Sequence, residues 1–195
     1  MKDWNGNLKS VFTTNGARNF ATEEREENDF YATDPIVAEK LLELEQFAPR
    51  IWEPACGQGH LAEVFKRHGY DVLSTDLINR GYGEGGVDFL KCDTQFDGDI
   101  ITNPPYKYAK EFVEHALELV PPHHKVAMFL KLTFLEGKGR QELFQRKELK
   151  TLYVSSARLA CAKNGEFGKC SQTAIAYGWY VFEKGYGSDP IIKWF

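Results

Sequence analysis

The sequence predicts an α/β domain with a mostly parallel sheet and helices packed on both faces. Three observations carry that expectation. Short β-branched and aromatic runs alternate with segments of helical apolar spacing from about residue 34 to 182, the pattern of helical crossovers between parallel strands. The chain has 195 residues, which suits one domain with a single sizeable core. Hydrophobic residues make up 43% and charged residues 27%, a globular balance. Neither an internal repeat nor a linker-like composition divides the chain.

Residues 1–29 are polar and end in the acidic cluster Glu23-Glu24-Arg25-Glu26-Glu27, which predicts a flexible arm before a single domain at 30–195. Pro35 opens a helix with Ile36, Val37, Leu41, Leu42 and Leu44 near helical spacing, ending before Pro49. Ile51-Trp52-Glu53-Pro54 reads as a short strand and Gly57-Gln58-Gly59 as a tight turn. Leu61, Ala62, Val64 and Phe65 form a helical stripe that stops at Gly69. Asp71 to Asp76 is a second strand finishing on an acid. A glycine-rich loop or lid follows (Gly81, Gly83, Gly85, Gly86), and Val87-Asp88-Phe89-Leu90 is a short strand or turn. Asp99 to Thr102 is a strand that runs into Asn103-Pro104-Pro105-Tyr106. A helix spans roughly Tyr108 to Val120 and halts at Pro121-Pro122. Lys125–Leu132 is a buried strand, Gly139–Lys147 a helix and Thr151–Val154 a strand. After a loop at Asn164-Gly165, Thr173 to Phe182 makes a last strand, its Trp179, Tyr180 and Phe182 belonging to the core.

Composition narrows the function. No stretch approaches the roughly 20 apolar residues of a membrane span, and the first residues lack the apolar run of a signal peptide, so a cytoplasmic protein without membrane contact is expected. Cys56, Cys92, Cys161 and Cys170 are scattered without metal-ligand spacing, which predicts reduced thiols and no metal. The pair His123-His124 sits in a helix-to-strand loop and is not expected to be catalytic. Net charge is −4, but it is unevenly spread: residues 1–122 carry 12 Lys+Arg against 22 Asp+Glu, and residues 123–184 carry 11 against 5. A basic C-terminal third can follow a phosphate backbone.

Two motifs carry chemistry. Glu53-Pro54-Ala55-Cys56-Gly57-Gln58-Gly59 closes a strand and opens a helix, where glycines let the backbone approach a ligand and a helix N-terminus offers N–H groups. Asp76 closes the next strand, 17 residues after Gly59, where a carboxylate can accept two ribose hydroxyls. Gly57-x-Gly59-x-x-Ala62 loosely matches a dinucleotide fingerprint. Glu53 argues against that: its carboxylate repels a pyrophosphate and attracts a ligand bearing an ammonium and a sulfonium. In Asn103-Pro104-Pro105-Tyr106 the prolines force an extended backbone and remove two N–H donors, leaving carbonyls. Such a segment suits an exocyclic amine. The Asn103 side chain and the Pro104 carbonyl can hold both amino hydrogens and aim the lone pair at a methyl group, by positioning alone. Tyr106 can stack on the base.

Together these motifs resemble the amino-methyltransferase family, specifically DNA adenine N6 methyltransferases whose cofactor motif precedes the catalytic one, a layout shared by many short phage and prophage proteins. The resemblance runs from about Phe30 to Phe182. It implies a Rossmann-like methyltransferase fold with a seven-stranded, mostly parallel sheet and an antiparallel last strand. It further implies S-adenosyl-L-methionine as cofactor and duplex DNA with a flipped-out adenine as partner. The segment from Phe30 through Tyr31, Thr33 and Pro35 resembles the N-terminal cofactor segment, with Thr33 near the methionine carboxylate. Glu53, Ala55, Gly57 and Gly59 match the segment cradling the methionine part, Asp76 the ribose ligand, and Asp88-Phe89 the pair that bonds and packs the adenine. Asn103, Pro104, Pro105 and Tyr106 match the catalytic tetrapeptide, and Phe167 the aromatic that packs on the flipped base. With no room for a separate recognition domain, the DNA site is expected to be short or relaxed. It is read by loops around 133–140 and 158–170, with Lys138, Arg140, Arg158, Lys163 and Lys169 touching phosphates. RNA bases, a protein glutamine amide and a catalytically silent cofactor binder remain as alternatives.

Overall fold

The computed structural model describes residues 31–156, 161–163 and 175–195, giving the backbone alone at 31, 32 and 161–163. The arm expected at 1–29 lies outside the described residues.

The first half of the fold comprises β1 (Tyr31–Thr33), α1 (Pro35–Leu44), β2 (Arg50–Glu53), α2 (His60–Arg67), β3 (Asp71–Asp76), β4 (Glu84–Gly85) and β5 (Asp99–Thr102). Then come α3 (Ala109–Leu119), β6 (Lys125–Lys131), α4 (Gln141–Gln145), β7 (Leu149–Val154), β8 (Cys161–Lys163), β9 (Tyr177–Glu183) and β10 (Ile191–Trp194). Eight strands form one sheet in the order β10-β7-β9-β6-β5-β2-β3-β4. All pairings are parallel except those of β9, which runs antiparallel to both β6 and β7. The expected α/β architecture is present, with eight strands where seven were expected. The additional edge strand β10 follows the antiparallel one. β1 and β8 pair separately as a small antiparallel ribbon.

Alternation along the central strands assigns the faces. Ile51, Ile101, Ala127, Phe129, Trp179 and Val181 point to one side, where α1 and α2 bring Val37, Leu41, Leu61, Val64 and Phe65. Trp52, Ile100, Val126, Met128, Tyr180 and Phe182 point to the other, where α3 and α4 bring Phe112, Val113, Leu117 and Leu143. Central parallel strands are thus apolar on both sides, as two helical layers demand. Trp179 is fully buried and its indole N–H donates to the Val37 carbonyl at 3.0 Å, fastening α1 to the sheet.

At the amino ends of the strands, Asp99 is 3% exposed and accepts from the Ala48 N–H at 2.6 Å and the Lys125 N–H at 2.8 Å. His124 Nδ1 lies 3.0 Å from the same carboxylate. His124 therefore belongs to the far end of the sheet from any ligand at the strand carboxyl ends. The helix expected at 139–147 is only Gln141–Gln145, because Arg140 and Gly137 shape a 3-10 turn ahead of it.

Trp179→Ala removes a buried aromatic and the α1 anchor together. We expect a loss of about 3–5 kcal/mol, read as a lowered urea midpoint with an unchanged slope.

Candidate active site

In open α/β sheets ligands bind outside the strand carboxyl ends, where strand order reverses. Here that point lies between β2 and β5. From β2 the chain moves to β3 on one side, and β5 lies on the other, with Ile51 opposite Asp99 and Trp52 opposite Ile100. Neighbouring strands are about 4.8 Å apart. Glu53 ends β2 and Asn103 follows β5, so the two sequence motifs emerge side by side.

The turn after β2 is fixed by its own amides. Gly57 and Gly59 have φ of 56° and 83°, left-handed values that side chains disfavour. The Gly57 N–H donates to Asp76 Oδ2 at 2.8 Å, the Ile78 N–H to Asp76 Oδ1 at 2.8 Å, and the Gly59 N–H to the Cys56 carbonyl at 2.8 Å. Amides that the sequence suggested would face a ligand are thus partly committed within the turn. Asp76, half-buried at the end of β3, keeps lone pairs on both oxygens for further donors. Burial pushes the Cys56 thiol up to about 12, with Glu53 and Asp76 adding to the effect, so it is a neutral packing group.

Glu53 is the electrostatic centre. It is 2% exposed, and its Oε2 has no hydrogen-bond partner. Burial raises its pKa well above the ordinary carboxylate range. The Ala62 backbone N–H opposes that shift, Asp76 adds to it, and Lys66 counters it weakly. A buried carboxyl with an unsatisfied oxygen is costly unless a ligand supplies a donor or a positive charge.

Tyr82 is a contributor that sequence reasoning missed. Its ring lies over Gly59, so that a Cβ there would come within 2.5 Å of it. Its hydroxyl donates to Glu63 at 2.6 Å and accepts from Lys66 at 2.8 Å, and its carbonyl takes the Cys56 thiol at 3.6 Å. The glycine-rich segment is therefore docked on the turn, with β4 paired to β3. The sequence signal was an aromatic between two glycines, Gly81-Tyr82-Gly83.

On the β5 side, Asn103 is half-buried and its Nδ2 donates to Thr33 Oγ1 at 2.8 Å. Thr33 is 4% exposed. Pro104 is buried, and Pro105 starts a 3-10 turn whose Tyr108 N–H donates to the Pro105 carbonyl at 2.9 Å. The Tyr106 ring has Lys131 Nζ 4.6 Å from its centroid and Tyr177 at 6.0 Å; Tyr177 in turn stacks on Phe129 at 5.4 Å. The tetrapeptide thus rests on an aromatic column rooted in the core.

Other expected residues divide. Ala55 is half-buried against the core, and Tyr31 lies in β1. Asp88 pairs with Lys91 at 2.8 Å, which holds its carboxyl below the usual range. Phe89, expected to pack the cofactor adenine, is 2% exposed, with the rings of Trp52, Phe112 and His115 at 4.9–5.2 Å. Arg140 is held within its own loop. Its Nε and Nη2 donate to the carbonyls of Glu136 and Thr133, at 2.9 and 3.2 Å respectively, and it stacks over Phe134 at 5.0 Å. That guanidinium braces its own loop, so a phosphate role would cost those bonds. Lys138 is exposed beside it and lines a groove of about 720 Å³ with Leu135, Phe144 and Pro190, which shares no residue with the site at β2 and β5. Lys163 lies in β8, described by backbone alone; Arg158, Phe167 and Lys169 lie outside the described residues. Among the described residues no cluster of His, Cys, Asp or Glu could hold a metal ion.

No protein-family model matches the chain, and no curated protein matches it. Solved structures do. A protein of Pyrococcus horikoshii described as an RNA methyltransferase superposes with a TM-score of 0.56 at 13% identity, over 91% of this chain and 99% of its own. One from Listeria monocytogenes, described as a class I S-adenosylmethionine-dependent methyltransferase, gives 0.58 at 12% identity, over 96% and 71%. A modification subunit assigned to a type I restriction enzyme of Vibrio vulnificus gives 0.57 at 14% identity, over 93% of this chain and 49% of its own. At such identities the likeness speaks for architecture: the chain has the Rossmann-like fold that these proteins share.

Proposed function

We propose that the chain is an S-adenosylmethionine-dependent methyltransferase acting on the N6 amino group of adenine in DNA. One observation carries the reading. The donor-poor Asn103-Pro104-Pro105-Tyr106 segment stands at the strand end next to a buried carboxyl with an unsatisfied oxygen, Glu53 Oε2. The first suits a flat amine and the second a cationic ligand.

The residues fit that cofactor. Glu53 would take its ammonium, Asp76 its ribose hydroxyls, and the glycine turn its methionine chain. When bound, S-adenosylmethionine supplies a methyl group made electrophilic by its sulfonium. The chain's own residues do the rest. Asn103 Oδ1 and the Pro104 carbonyl accept the two amino hydrogens, drawing the nitrogen out of conjugation and orienting its lone pair. The Tyr106 ring, backed by Tyr177 and Phe129, supports the base outside the duplex stack. The positive balance of residues 123–184, 11 Lys+Arg against 5 Asp+Glu, favours a polyanion. Among the fold's neighbours, the Vibrio vulnificus protein is described as a modification subunit and the Pyrococcus horikoshii protein as an RNA methyltransferase, so a test must offer both polymers.

Incubation with isotopically labelled cofactor and separate pools of duplex DNA, RNA and protein, followed by mass spectrometry, should give N6-methyladenine in the DNA pool. Label confined to RNA or to glutamine would replace the substrate reading. Asn103→Ala should keep cofactor affinity within about twofold while methyl transfer falls by about 10²–10³; full activity in that variant ends the catalytic assignment. Asp76→Ala should weaken cofactor binding at least tenfold by calorimetry.

Glu53 gives a pH signature. A raised carboxyl favours the protonated form in the fold, so the ligand-free protein loses stability as pH climbs from the ordinary carboxylate range toward the raised value. Binding an ammonium there reverses the preference. Cofactor binding should release a proton across that window, seen as a buffer-dependent calorimetric enthalpy that Glu53→Gln abolishes.

A further inference from the structure

We infer that Thr33 is a positioning residue that sets the rotation of the Asn103 side-chain amide, turning Oδ1 toward the target amine. The inference rests on the reading of Asn103 as the residue that accepts from that amine. An asparagine amide is chemically two-faced: one end accepts hydrogen bonds and the other donates two. Its terminal torsion is broad and roughly two-fold, so the backbone does not choose between the ends. The choice matters at this position. An amine offering two hydrogens is held by Oδ1 and repelled by Nδ2.

The contact that decides is the 2.8 Å hydrogen bond from Asn103 Nδ2 to Thr33 Oγ1. It engages one N–H of the donor end and, with Nδ2 turned to Thr33, leaves Oδ1 on the other side of the amide. Thr33 is suited to the task. It is 4% exposed, so water does not compete for its hydroxyl, and its β-branched side chain is stiff about χ1. It is also held from both sides along the chain. Its strand pairs with β8, where Thr33 stands opposite Cys161. The next residue, Asp34, caps α1 by accepting from the Ile36 N–H at 3.0 Å, and α1 is anchored through Val37 to Trp179. The resemblance alone placed Thr33 beside the methionine carboxylate. In the structure its hydroxyl oxygen accepts from the tetrapeptide, 70 residues away in sequence.

The two roles separate experimentally. Thr33→Val keeps the shape and removes the acceptor; Thr33→Ser keeps the hydroxyl. In the nitrogen–proton correlation spectrum of the ligand-free protein, the Asn103 side-chain amide signal is identified by its loss in Asn103→Ala. We expect that signal to shift in Thr33→Val and to return toward its original position in Thr33→Ser. In single-turnover methylation of duplex DNA at saturating cofactor, Thr33→Val should slow transfer about tenfold to a hundredfold. Cofactor affinity should stay within about twofold, Thr33→Ser should recover most of the rate, and adding Thr33→Val to Asn103→Ala should cost nothing more. An unmoved amide signal in Thr33→Val, or weakened cofactor binding with an unchanged saturated rate, overturns the assignment. Wild-type protein inactive on DNA would sink the substrate reading instead, leaving the spectrum to decide the role of Thr33.

Discussion

The candidate site is organised by the way Asp76 is gripped. Two backbone N–H groups from different segments close on its two oxygens, Gly57 from the turn after β2 and Ile78 from the loop after β3. With one donor on each oxygen, the carboxylate works as a rivet between adjacent strand ends. Because Gly57 is pulled toward β3, the turn adopts left-handed values at Gly57 and Gly59 that bring the backbone under Tyr82. The opening of α2 follows, and with it the Ala62 amide that partly satisfies Glu53. Removing the grip would free the turn, the helix start and the buried glutamate together.

Charge within the pocket follows from this arrangement. Two carboxyl groups lie close together, one half-exposed and bonded to amides, the other buried with one oxygen unsatisfied. The proton affinity of Glu53 is raised through burial, with Asp76 adding to the effect. A pyrophosphate would meet two acids and amides that are already spent. A ligand with a positive end and a pair of hydroxyls would meet complementary partners. The dinucleotide alternative that the glycine spacing allows is thus disfavoured on electrostatic grounds.

Much of the architecture was legible because the relevant forces are local. The alternation of apolar runs, the prolines bounding α1 and α3, and the strand ending in Asp76 all fix their elements from within a few residues. What escaped is set by partners distant in sequence. β10 is short and its Ile191, Ile192 and Trp194 are half-exposed or more, so it lacks a burial pattern; only its pairing with β7 makes it a strand. β1 and β8 exist through each other. Phe89 reads equally well as a ligand-facing or a core aromatic until Trp52 and Phe112 are seen around it. Arg140 looks like a surface charge until its loop folds carbonyls beneath it. Tyr82 is marked only by its flanking glycines, and its place follows from the absence of a side chain at Gly59.

The pairing of β1 with β8 has a consequence for how the molecule is made. Thr33 leaves the ribosome before its strand partner, Cys161, which follows 128 residues later. At about 5–20 residues per second that delay is on the order of 6 to 26 seconds. During it the glycine turn and the tetrapeptide can already stand in a growing sheet, while the ribbon that carries the threonine has nothing to pair with. A nascent chain would thus hold the glycine turn and the tetrapeptide before the Thr33 ribbon is paired, and the bond from Thr33 to the Asn103 amide would be set only once Cys161 has been made.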